Sequence, residues 1–253
     1  MTPTDCYDVA ASMLLEARRS RQWLSALPEI CRPKDLEDAY AIQNQVLAGL
    51  GPVAAWKVGA RSPESLPACA AIAQATLFES GARLPADMFH LVGLEAEIAY
   101  RFVDDLPARE APYLLEEVLA AIGSAHPAIE VSDTRFVAWA SQDRLSHVAD
   151  QLNHGALVIG PGRRDWREID PRAQRAILTI NDETSADVVG GNPAGDPLRL
   201  LHWLANEGAR PFGGLRAGTV VTTGSVTGIA FVTSPLRGQA RLPGIGVVDI
   251  TIG

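Results

Sequence analysis

The pattern of apolar and polar positions changes character once along the chain, near residue 51. Before it, the spacing is helical. Over residues 35–50, Leu36, Ala39, Tyr40, Val46, Leu47 and Leu50 share one face, while Glu37, Asp38 and Asn44 lie elsewhere. This is the recurrence of a half-buried helix, and Gly49, Gly51 and Pro52 stop it. After Pro52, short apolar or alternating stretches take over. Residues 54–59, 94–102, 128–131, 156–159, 176–180, 219–223 and 247–252 read as strands. Residues 114–122 have helical spacing. A further helix starts at Asp196-Pro197, buries Leu198, Leu201, Leu204 and Ala205, and ends at Gly208. Strands outnumber helices without a regular βαβ rhythm. The pattern therefore predicts an α+β fold, with a curled, mainly antiparallel β core and peripheral helices.

Composition sharpens this picture. The 253 residues suit one domain with a small appendage. The 17 prolines and 22 glycines favour short strands and many turns over a helical bundle. A formal net charge of −8 disfavours nucleic acid as a partner, and no basic run points to an anionic membrane. Three cysteines without a C-x-x-C pair, Cys6, Cys31 and Cys69, fit reduced thiols in a cytoplasm. Residues 1–11 carry Asp5 and Asp8 and no apolar core of a signal peptide, and no apolar run reaches membrane-spanning length.

The densest chemistry lies in Gly93-Leu94-Glu95-Ala96-Glu97-Ile98-Ala99-Tyr100. On a strand, Glu95 and Glu97 share a face, about 7 Å apart. They can ligate one cation together, or they can be the solvated face of an edge strand. Glu130, between Ile129 and Val131, adds a third carboxylate. Three carboxylates and water suit a hard cation such as Mg²⁺ or Mn²⁺; Zn²⁺ would want His or Cys. Lys57, in Trp56-Lys57-Val58-Gly59, either snorkels to the surface or points into a site. The turn Thr223-Gly224-Ser225-Val226-Thr227-Gly228 can offer donors to a carboxylate, or be an ordinary loop. His90, His126, His147, His154 and His202 show no ligand spacing and read as structural or surface residues. The Asn153-His154 pair carries only a weak signal for a site.

In order, these segments resemble the 2-oxopent-4-enoate hydratase and 4-oxalocrotonate decarboxylase family of the fumarylacetoacetate-hydrolase superfamily. The matching pieces are 39–43 (AYAIQ), 56–59 (WKVG), 95–98 (EAEI), 127–135 (PAIEVSDTR), 155–160 (GALVIG), 195–206 (GDPLRLLHWLAN) and 223–228 (TGSVTG). The resemblance covers residues 35–253 and implies a mixed β-roll catalytic domain over 51–253, behind an N-terminal helical segment at 1–50. It implies Mg²⁺ or Mn²⁺ on Glu95, Glu97 and Glu130, a catalytic Lys57, and substrate contacts at Ile98, Asn153, Gly224 and Ser225. It also implies a homo-oligomer acting on a small 2-oxo acid. One departure stands out. Where the family carries an acid in a P-D-[YF]-G segment, residues 71–78 read AIAQATLF, and the nearest acids are Glu64 and Glu79.

The expected activity is that of a divalent-metal-dependent hydratase of 2-hydroxy-2,4-dienoates or 2-oxo-alkenoates in aromatic catabolism. A 2-oxo-dioate decarboxylase, a C–C bond hydrolase and a non-catalytic structural paralogue are the alternatives. The three reactions share an enolate stabilised by the same cation, so the carboxylates alone do not separate them.

Overall fold

The structure, a computed structural model, describes residues 3–253. The stretch read above for a leader begins with Met1 and Thr2, which lie outside the described residues. Two helices come first, α1 (Pro3–Ser20) and α2 (Leu36–Leu50). Asp35 caps α2, its carboxylate accepting from the Asp38 N–H at 2.9 Å. Leu14, Leu27, Ile42 and Val46 pack with Phe136 and Ala149 in a cluster apart from the main core.

The rest is mostly strand: β1 (Val53–Gly59), β2 (Ala68–Ala73), β3 (Leu77–Glu79), β4 (Ala82–Leu84), β5 (Val92–Phe102) and β6 (Leu106–Pro107). Next come α3 (Leu115–Ala120), β7 (Ile122–Ser132), α4 (Arg144–Ala149), β8 (His154–Ile159), β9 (Arg175–Ile180) and β10 (Glu183–Val189). The chain finishes with α5 (Leu198–Trp203), β11 (Gly214–Leu215), β12 (Val220–Ser225), β13 (Ala230–Val232), β14 (Leu236–Leu242) and β15 (Gly246–Ile252). The α+β class expected from the sequence is the class observed. No helix among the described residues is long and apolar enough to cross a membrane.

One sheet runs β2-β1-β12-β5-β7-β8-β3, with β13 continuing the β12 side of the long strand β5; a second runs β10-β9-β14-β15-β4. Most neighbours are antiparallel, but β1 with β12, β3 with β8 and β4 with β15 are parallel. The sheets meet closely where β14 crosses β5. A Cβ on Gly238 would lie 2.9 Å from Leu94 Cδ1 and 3.0 Å from Ile250 Cγ2, so a larger residue at that crossing would have to displace those side chains.

Two details differ from the sequence reading. The helix expected to reach residue 122 ends at Ala120, and Ile122 already belongs to β7. That strand, expected over 128–131 only, runs straight through Pro127. Proline lacks an N–H and is normally kept off central strands. Here the Pro127 carbonyl accepts from Gly160 N at 2.8 Å, so its backbone polar groups face β8 just where β8 ends. The missing donor falls in the gap between the last β8 pair, Ala128 with Ile159, and the bridge of Ala125 with Arg163.

The large sheet is buried on both faces. Trp56, Val58, Leu94, Ala96, Ile98 and Ile129 form the main core with the second sheet. Each large aliphatic side chain buried there contributes roughly 1.5–3 kcal/mol. The opposite face carries a smaller cluster of Ala55, Ala99, Ala128, Leu157 and Val220. Strand alternation puts Lys57, Glu95, Glu97, Glu130 and Thr222 on that second face.

Candidate active site

Register assembles the site across four neighbouring strands. Lys57 on β1 stands beside Thr222 on β12, Thr222 beside Ala99 on β5, and Glu95 directly opposite Glu130 on β7. Oxygens of Glu95, Glu97 and Glu130 all lie within 4.8 Å of one another. The Lys57 ammonium sits 2.5 Å from Glu130 Oε1 and donates to the Leu152 carbonyl at 3.0 Å.

Each carboxylate has its own support. Ser132 Oγ donates to Glu95 at 2.7 Å. Glu97 accepts from the Thr222 hydroxyl and, at 3.0 Å, from the Gly224 N–H. A bulge in β12 makes the second bond possible: the register slips between Thr222 and Ser225, and Gly224 takes φ +85° to turn its N–H towards Glu97. Glu130 Oε1 also meets His154 Nδ1 at 3.1 Å, and His154 Nε2 meets Thr76 Oγ1 at 3.1 Å. Because an ionised carboxylate only accepts, His154 carries a proton on Nδ1; the Thr76 hydroxyl beside Nε2 also donates to the Ala73 carbonyl at 3.1 Å.

The electrostatics are one-sided. Burial, then the neighbouring charges of Glu130 and Glu95, push the Glu97 carboxyl well above its usual pKa. Burial and Glu130 raise Glu95 as well. For Glu130, burial is outweighed by Lys57 and His154, which hold it below the usual range. For Lys57, burial is outweighed by the three glutamates, which keep the ammonium above its ordinary value. Burial pushes His154 down to about 4, so its ring is neutral. Three carboxylates face one ammonium, all bound by oxygen-donor chemistry. This donor set fits a hard divalent cation, which would offset the charge that Lys57 leaves uncompensated.

Lys57, Glu95, Glu97, Glu130, Gly224 and Ser225 line a single cavity of about 340 Å³. The structure does not bring the other two proposed contacts there. The Ile98 side chain is buried in the main core, and its carbonyl accepts from Thr223 Oγ1 at 3.0 Å. Asn153 turns away, its Oδ1 2.8 Å from His147 Nδ1. Its neighbour Leu152 contributes instead, through the main chain. Gln151, Leu152 and Asn153 all adopt left-handed φ, between 51° and 59°. Arg135 holds this turn, with Nε bonded to Asp150 Oδ1 at 2.6 Å and a further donor to the His154 carbonyl at 3.1 Å. Arg18 of α1 reaches the same carbonyl at 3.0 Å.

In the sequence, His154 carried only a weak signal for a site and Thr76 carried none of its own. The only signal was indirect: Thr76 lies in the stretch where the family pattern would place an acid, and His154 follows Asn153 at the head of a strand. Neither histidine spacing nor composition marks the pair.

Comparison with known proteins identifies the family and the fold. Residues 46–248 match the fumarylacetoacetate (FAA) hydrolase C-terminal family. A 2-keto-4-pentenoate hydratase of Paraburkholderia phymatum is 30% identical over 249 residues, 94% of each chain. One of Burkholderia vietnamiensis is 29% identical over 252 residues, 95% of each. Among solved structures, 4-oxalocrotonate decarboxylase from Pseudomonas putida G7, complexed with magnesium and adipate, superposes with a TM-score of 0.87 at 22% identity. The match covers 100% of this chain and 99% of that one, and it shows a common fold.

Proposed function

Given that the chain belongs to the fumarylacetoacetate hydrolase family, we propose that it is a divalent-metal-dependent hydratase of 2-hydroxy-2,4-dienoates or 2-oxo-alkenoates. The observation that carries the metal-dependent reading is the meeting of Glu95, Glu97, Glu130 and Lys57 in one cavity, and the similarity to 2-keto-4-pentenoate hydratases favours hydration among the reactions it could serve. The cavity's size suits a small acid, at the lower end of small-molecule sites.

Glu95, Glu97 and Glu130 would hold Mg²⁺ or Mn²⁺. When bound, the cation supplies Lewis-acid stabilisation of negative charge developing on the 2-oxo oxygen. The residues around it have separable tasks. Lys57 spends two of its three N–H donors on Glu130 and Leu152 and has a third for a substrate oxygen. His154 helps fix the orientation of Glu130 by bonding its Oε1. The Gly224 N–H is committed to Glu97, which leaves Ser225 as the hydroxyl of that turn lining the cavity. The overall conversion of 2-hydroxypenta-2,4-dienoate moves the enol proton off O2 and adds a proton at C5. Water then adds its oxygen at C4 and a proton at C3, giving 4-hydroxy-2-oxopentanoate.

The direct test is incubation with 2-hydroxypenta-2,4-dienoate and, separately, 2-oxohex-3-enedioate, with Mg²⁺ and product analysis by NMR. Signals of a 4-hydroxy-2-oxo acid, abolished by EDTA and restored by Mg²⁺ or Mn²⁺, support the hydratase. Release of CO₂ from the dioate without hydration would make decarboxylation the reaction. Steady turnover in metal-free buffer would overturn the metal-dependent reading altogether.

A further inference from the structure

The cavity extends beyond its carboxylates. Ala60 and Ala68 line it with apolar surface, and the exposed Leu66 adds to that surface. Two arginines line the same space from different elements: Arg61 from the loop after β1, and Arg144 from the first turn of α4. Among the described residues neither guanidinium has a hydrogen-bond or ion-pair partner. Arg135, Arg163 and Arg175, by contrast, are each tied to a carboxylate.

Both arginines stand on anchored backbone. In the Arg61 loop, Ser62 and Ser65 hydrogen-bond to each other, and Arg199 of α5 donates to the carbonyls of both. Helix α4 is held from the other side by Gln43, whose Nε2 donates to the Val148 carbonyl at 2.7 Å. On a chain with a net charge of −8, two uncommitted guanidinium groups lining one cavity make a local exception to the prevailing charge.

We propose that Arg61 and Arg144 form a second carboxylate subsite, so that the preferred substrate is a 2-oxo-dioate. The 2-oxo acid head lies at Glu95, Glu97 and Glu130, the carbon chain runs along Ala60, Leu66 and Ala68, and the far carboxylate meets the arginines. Guanidinium is the group best shaped to grip a carboxylate with paired hydrogen bonds. A neutral or apolar tail would leave both cations without a counterpart. This assignment rests on the proposed function and narrows its substrate class.

The test compares two probes of equal length that differ only at the far end, 2-oxoadipate and 2-oxohexanoate. Each is titrated calorimetrically into the full chain with saturating Mg²⁺. The subsite predicts that 2-oxoadipate binds about tenfold tighter or better, the worth of one charge-assisted hydrogen bond. Arg61→Met and Arg144→Met should each erase much of that preference while leaving 2-oxohexanoate binding unchanged, and Arg61→Lys should retain part of it. Equal binding of the two acids by the native protein would overturn the subsite and leave the 2-oxo acid reading standing. So would arginine variants that weaken both acids alike. Binding of neither acid in the presence of Mg²⁺ would overturn the subsite and the proposed function together.

Discussion

Glu95 and Glu130 stand directly opposite each other across the β5–β7 pair, two carboxylates where a sheet normally opposes unlike charges or apolar groups. A sheet tolerates such a pair when something cationic is shared between them, and Lys57 contacts only Glu130. The metal-free protein should therefore gain stability when one member is neutralised. Glu95→Gln should raise the melting temperature of chelator-treated protein, by up to roughly 1 kcal/mol of stability. The same variant should lose most of the stabilisation that Mg²⁺ gives the native chain, about 2.7 kcal/mol at a hundred times Kd. Thermal scans with EDTA and with Mg²⁺ check both signs; a variant destabilised in EDTA would contradict the account.

Lys57 has a structural burden as well as a chemical one. Lys57→Met removes the ammonium from the almost fully buried Glu130. Breaking a buried pair from one side costs about 3 kcal/mol, so urea titration should show a clear fall in the unfolding midpoint. Turnover should fall further than this loss explains, because the substrate-facing donor disappears too. Full activity in the Met variant would remove Lys57 from the chemistry.

His154 meets the same Glu130 oxygen as Lys57, through Nδ1 at 3.1 Å. His154→Ala should weaken Mg²⁺ binding about tenfold by freeing the Glu130 carboxylate to rotate. Calorimetric titration of Mg²⁺ measures this without reference to activity. An unchanged dissociation constant would show that Glu130 is oriented by Lys57 alone.

Asp143 caps the helix that carries Arg144. Its carboxylate accepts from the N–H groups of Leu145 and Ser146, at 2.9 and 3.0 Å, and from the Ser146 hydroxyl. Burial works against its ionised form, but the bonds from Ser146 and Leu145 outweigh burial and depress its pKa. A depressed acid stabilises the fold above its unfolded pKa of about 3.9 and loses that contribution as pH falls through the folded value. Asp143→Ala should thus cost about 1 kcal/mol at neutral pH. The gap between native and variant should close below about pH 4, as denaturation series at pH 7 and pH 3 would show.

What the sequence disclosed follows from which residues announce their surroundings. Strand β5 alternates strictly from Leu94 to Tyr100, so both the strand and the common face of Glu95 and Glu97 were legible. Glu130 was exposed by its two apolar neighbours. Strand β2 was not read, because all six of its residues are buried and its small side chains carry no period. Strand β14 does alternate, with Leu236, Ala240 and Leu242 buried and Arg237, Gln239 and Arg241 exposed. Yet Gly238 at its centre weakens the pattern, and the glycine is there for the crossing with Leu94. Arg61 and Arg144 were not singled out, since nothing local distinguishes an arginine beside a cavity from one in bulk water. His154 gave only a weak signal for a related reason: what places it against Glu130 is the β7–β8 register, which no short window contains.

The left-handed run from Gln151 to Asn153 has a consequence for how this chain can change over time. Its contact with Lys57 is made by the Leu152 carbonyl, an atom every amino acid possesses. Position 152 is therefore free to drift in side-chain identity without loosening the lysine. The inheritance of that contact is lodged elsewhere, in Arg135 and Asp150, whose bond holds the backbone in a conformation that costs non-glycine residues about 1–2 kcal/mol each. A lineage diverging in substrate could vary residue 152, which also lines the cavity, and still keep its lysine in register.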